Sequence, residues 1–132
     1  MKITWTIIFV LILNGCGKQA MQFPFDVSKE VIPKHEVVSL KYYNSDPDII
    51  SYSCEVIVEP GLDKSKIELI AKSIIQSFDK PHFLAILLFH KSKSDIGKDF
   101  TVAMVHWAHK GEDAEIWKSG DYRQYILTTT LK

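Results

Sequence analysis

Along this chain the apolar residues change rhythm several times, and each rhythm predicts an element. The start is a continuous run: residues 3–13 are apolar except for Thr4 and Thr6. Residues 17–35 (GKQAMQFPFDVSKEVIPKH) keep no period and contain Pro24 and Pro33, which predicts a tether with one short ordered piece over 25–32. Strand-like runs then occupy 36–43 and 51–59. In the second, Tyr52, Cys54, Val56 and Val58 share one face, and Ser53, Glu55, Ile57 and Glu59 share the other. A period of two with one apolar face predicts strands of a half-buried sheet. Asn44-Ser45-Asp46-Pro47-Asp48 supplies the turn chemistry for a hairpin between them.

The rhythm changes to helical after Pro60-Gly61. Ile67, Ile70, Ala71, Ile74, Ile75 and Phe78 follow the i, i+3, i+4 spacing of one helix face, and Asp63 is a suitable N-cap. Lys80-Pro81 stops the pattern, because a residue before proline avoids the helical region. The prediction is one helix over about 63–79, lying across the sheet. Residues 82–90 (HFLAILLFH) are apolar on both faces and predict a central strand. A polar loop over 91–98 (KSKSDIGK) leads to a strand over 99–108, paired as an antiparallel hairpin with Phe83 opposite Trp107. An acidic turn, Ile116-Trp117 and a Gly120-Asp121-Tyr122 turn precede the last strand, 123–131. The order ββαβββ predicts an α+β fold over 36–132, with an antiparallel-rich sheet covered on one face by one helix.

Composition matters once the two ends are separated. Lys2 is the only charged residue before Cys16, so the remainder carries 15 basic and 16 acidic side chains. A net charge near zero gives no basic footprint for nucleic acid and no polybasic membrane patch. The apolar run at the start would rise roughly 16 Å as a helix, about half of a bilayer core, and fits the apolar region of an export signal.

That run ends in Leu13-Asn14-Gly15-Cys16. Here the sequence resembles bacterial lipoproteins: Leu13, Gly15 and Cys16 match the lipobox, while Asn14 is a less usual residue at its position. The resemblance implies a signal over 1–15, cleavage between Gly15 and Cys16, and a lipidated Cys16 followed by a tether over 16–35. It also implies diacylglyceryl and fatty-acyl chains of the palmitate type. Gly17 in place of an aspartate implies transfer to an outer membrane in a host that has one. Two or three acyl chains hold a protein stably on a bilayer where one does not. Further along, Trp107-Ala108, Gly111, Ala114 and Gly120-Asp121-Tyr122 are similar in spacing to small uncharacterised bacterial and phage-associated domains, a family without an assigned activity.

The candidate chemistry is thin. Cys54 falls on the apolar strand face, where a thiol is buried and unreactive. His106 and His109, with His82 diagonal to His106, could offer metal donors, but no third converging ligand is specified. Ser77-Phe78-Asp79-Lys80 matches S-x-x-K at the wrong end of a helix and without its companion motifs. The acidic pairs Asp46/Asp48 and Glu112/Asp113/Glu115 lack a calcium-loop pattern. Trp117, Asp121 and Tyr122 in the 106–122 segment suggest an interaction surface, and the 91–98 loop is a second candidate. The resulting expectation is a membrane-anchored lipoprotein presenting a small interaction domain to a protein partner in the envelope, with no metal, no cofactor and no nucleic acid. The alternatives are a small-molecule or metal-binding domain or weak hydrolase built on His82, His106 and His109, and a purely structural envelope protein.

Overall fold

A computed structural model describes residues 21–46, 49–109 and 116–132. The lipobox residues Leu13 to Cys16, Gly17, and the acidic residues Asp48, Glu112, Asp113 and Glu115 lie outside the described residues. Strands β1 (His35–Asp46) and β2 (Ile49–Val58) are followed by helix α1 (Lys64–Gln76), then β3 (Leu84–His90), β4 (Ala103–His109) and β5 (Tyr125–Leu131). The fold is α+β in the expected ββαβββ order.

The five strands lie side by side in chain order, β1-β2-β3-β4-β5. β1 and β2 form the expected hairpin, antiparallel from His35 opposite Val58 to Asp46 opposite Ile49. β2 and β3 are parallel, because α1 carries the chain back to the same end before β3 begins. The other two pairings are antiparallel, and β3 occupies the centre.

Helix α1 begins where its cap dictates. Asp63 accepts from Lys66 N at 2.9 Å and from Ser65 Oγ at 2.7 Å, bonds that hold its carboxyl below the usual carboxylate range. Ile67, Ile70, Ala71, Ile74 and Ile75 are buried, packed with Phe78 into a core that includes Cys54, Val56, Leu87, Phe89, Val105 and Trp107. Each large aliphatic side chain buried there contributes about 1.5–3 kcal/mol.

Three expectations need correction. The segment before β1 is not a free tether from 16 to 35, for it joins the core from Met21 onward. Gln22 N donates to Gly120 O and Tyr122 N to Gln22 O, both at 2.7 Å, while Phe23 stacks on Tyr122 with ring centres 5.3 Å apart. Phe25 meets Trp107 edge-on at 5.4 Å, and Val27 N donates to Gln76 Oε1 at 3.1 Å. Second, Ala85 rather than Phe83 stands opposite Trp107. The loop between β3 and β4 takes residues 99–102 into its turn, and Val102 N donates to Phe89 O at 2.9 Å. Third, Ile116–Ser119 is a single 3-10 turn, and the last strand starts at Tyr125, after a turn in which Tyr125 N donates to Tyr122 O.

Candidate functional site

The residues with chemistry fall into three places, two of them internal. His82 lies wholly buried between the end of α1 and the start of β3. Its Nε2 receives the indole N–H of Trp107 at 3.1 Å, and its Nδ1 lies 3.2 Å from Lys80 O. An indole nitrogen can only donate and a carbonyl can only accept, so the ring is neutral with its proton on Nδ1. Burial pushes its pKa down from 6.5 to about 4, only partly offset by the Lys80 carbonyl. The ring stacks on Tyr122 at 4.6 Å. The Tyr122 hydroxyl accepts from His82 N at 2.9 Å and donates to Trp117 O at 3.4 Å, and burial raises its pKa to about 12. Tyr125 donates to the carbonyls of Phe83 at 2.9 Å and His82 at 3.2 Å. Both imidazole nitrogens are committed to core partners.

This arrangement removes two sequence expectations. Trp117 is 4% exposed and Tyr122 0%, so they are core residues and present no surface to a partner. Asp121 alone of that trio reaches solvent. The guanidinium of Arg123 clamps it at 2.8–2.9 Å and holds its carboxyl down at about 2. Nor does the structure gather His82, His106 and His109. His106 is exposed on the sheet face away from the helix, because its neighbours Val105 and Trp107 point into the core. His109 meets Tyr125 at the core rim, 5.7 Å between ring centres. Among the described residues no three His, Cys, Asp or Glu side chains converge as metal ligands. Cys54 is buried as expected, and desolvation, with the Glu55 charge second, pushes its thiol up to about 12.

A second polar centre was not anticipated. Buried His90 approaches Glu55 Oε1 through Nε2 at 3.2 Å, and the same oxygen accepts from Gly97 N at 2.9 Å. Glu55 thereby fastens the 91–101 loop to the sheet. Gly97 turns at φ 86°, in the left-handed region that favours glycine. Among the described residues His90 Nδ1 has no partner.

The third place is the sheet face opposite α1. The register lines up Leu84, Ala108 and Ile126, then Ile86, His106 and Thr128, then Leu88, Met104 and Thr130. Ile126 is 43% exposed, while Leu84, Ile86, Leu88, Met104 and Ala108 are half-buried. On the neighbouring strands the same face carries Ser51, Ser53 and Glu55 from β2 and Ser39, Lys41 and Tyr43 from β1. An aliphatic stripe along β3 is thus bordered by polar side chains. A shallow groove of about 300 Å³ lies beside it on β4 and β5, between His106, Ala108, His109, Ile126 and Thr128. The signal for this face lay in residues 82–90: a strand apolar on both sides needs two covers, and among the described residues one α-helix packs on the sheet.

The fold and this face define a small α+β domain in which, among the described residues, the helix packs on one sheet surface and leaves the other open. No family model, curated protein or solved structure matches the chain.

Proposed function

We propose that the protein is an exported, lipid-anchored domain that binds another macromolecule of the cell envelope through the open face of its sheet. The observation that carries the binding half is the stripe of half-buried Leu84, Ile86, Leu88 and Met104 with exposed Ile126, on the face that no described helix covers and bordered by polar residues. A solvated sheet face is normally polar, and an apolar centre with a polar border is the composition of a contact surface. The anchoring half rests on Leu13, Gly15 and Cys16 at the end of a short apolar run. The His82, His106 and His109 alternative has no support from the geometry, since His82 is buried on the helix side with both ring nitrogens engaged and His106 is exposed on the other face.

Crosslinking capture from host membranes tests the binding surface. The doubly substituted chain Ile126→Asp with His106→Glu should lose the captured partner while keeping its melting temperature. Equal capture by that variant would refute the surface. Cys16→Ser tests the anchor: the precursor should persist uncleaved and carry no acyl chains. Processing and acylation equal to those of the unaltered chain would remove the lipoprotein reading.

A further inference from the structure

The sheet has two edges, and they are built differently. β1 carries Glu36 and Lys41 and is broken by register shifts between Val37 and Ser39 and between Asn44 and Asp46. Charges and bulges of this kind keep an edge strand from pairing with other chains. β5, Tyr-Ile-Leu-Thr-Thr-Thr-Leu, has no charged residue, no proline and an unbroken register with β4. Its side chains are β-branched, aromatic or leucine, the types that favour strand pairing.

The backbone directions follow from one hydrogen bond. Lys132 N donates to Val102 O at 3.0 Å, and antiparallel strands alternate between bonded and non-bonded pairs. Ile126, Thr128 and Thr130 therefore bond to β4, and Leu127, Thr129 and Leu131 turn their N–H and C=O groups outward. Among the described residues those outward groups have no backbone partner.

We propose that β5 pairs antiparallel with β5 of a second copy of this chain, about a two-fold axis through Thr129. The strand is complementary to itself in that register. Leu127 faces the partner copy's Leu131 on the helix side, where Leu131 is 51% exposed in the single chain, and Thr128 faces Thr130 on the open side. Leucine pairs and threonine pairs are favourable cross-strand neighbours. Lys132 falls opposite Ile126, so no two lysines meet. Glu68, bonded to Thr129 Oγ1 at 2.6 Å, approaches its copy near the axis, with Lys64 and Lys72 one turn away on either side of it in α1. A two-fold axis normal to the sheet keeps both helices on one side. The open faces then join into one surface, although the pairing does not depend on what that surface binds.

Disulfide crosslinking of the full chain in mild detergent tests the register, in a Cys16→Ser background. Opposed residues of a non-bonded pair lie about 4.5 Å apart between Cα atoms, within disulfide range. Thr128→Cys chains mixed with Thr130→Cys chains should therefore yield a reducible species of twice the 15.1 kDa chain mass. The yield should be several-fold above that of either chain alone. Adding Leu131→Pro, which removes an outward N–H and no bond to β4, should cut the yield at least tenfold with an unchanged far-ultraviolet circular dichroism spectrum. Lys41→Cys on β1 should give no dimer. The proposal is overturned if the mixture crosslinks no better than its components, if Lys41→Cys crosslinks equally well, or if Leu131→Pro has no effect.

Discussion

Acidification should loosen this domain through a single ring. His82 accepts the Trp107 indole proton on Nε2 and directs its own Nδ1 proton at the Lys80 carbonyl, so a second proton would have to displace the indole. Its pKa is pushed from 6.5 to about 4 by burial. Between those values the unfolded chain binds the proton and the folded chain does not. Stability therefore falls as pH drops through 6.5, and the loss is complete once pH is below 4. At 1.36 kcal/mol per pH unit the loss is about 2 kcal/mol by pH 5 and about 3 kcal/mol in full. That is a large part of the roughly 5–15 kcal/mol that holds a typical domain folded. Asp121, with its pKa held down at about 2, and Asp26 and Asp63, both lowered, ionise below the ordinary carboxylate range. They contribute their own losses at more acid pH. Urea unfolding followed by tryptophan fluorescence from pH 7.5 to 4 measures the effect. His82→Gln is the matched variant: its amide can accept from Trp107 and cannot titrate. The variant should be less stable at pH 7, with a curve flatter by about 2 kcal/mol between pH 6.5 and 5. Parallel curves for the two proteins would refute the assignment to His82.

Two further outcomes follow from the packing. Phe23→Ala should destabilise the domain by about 2–3 kcal/mol, toward the lower end for an aromatic truncation because Phe23 is only half-buried. Chemical denaturation reads this directly, and a change under ~0.5 kcal/mol would mean that residues 21–27 are not part of the core. In a Cys16→Ser chain, Cys54 should react with iodoacetamide only at the rate of unfolding, since its thiol is buried with a pKa raised to about 12. Rapid labelling at pH 8 without denaturant would contradict that burial.

The parts of the fold legible in sequence were those decided by local period. Tyr52, Cys54, Val56 and Val58 alternate without interruption, and the isoleucines of α1 keep one helical face, so neighbours in sequence fixed their environment. What could not be read depended on distant partners. Tyr122 is buried because Phe23, far earlier in the chain, stacks on one side of it and His82 on the other. Nothing near Tyr122 announces either ring. The alternation of Met21, Phe23, Phe25 and Val27 was a usable signal, obscured by Pro24 and by the short length of the run. The β3–β4 register slipped by two residues because the loop closes with Thr101 Oγ1, which accepts from Lys91 N and donates to Asp95. Turn residues there looked like strand. Of the candidate site, the buried state of Cys54 was readable, and the open aliphatic face was implied by a strand apolar on both sides with a helix predicted on one of them.

The pairing of Gln22 with Gly120 and Tyr122 also sets a distance. For a chain fixed to a bilayer at Cys16, a tether running to residue 35 would let the domain roam within about 65 Å of its anchor, at ~3.4 Å per extended residue. With Gln22 fastened to the body of the protein, the leash to that point is at most about 20 Å. Under the proposed anchoring at Cys16, such a domain would have little room to search above the headgroups, and a partner would have to come to it along the surface, at a nearly constant height.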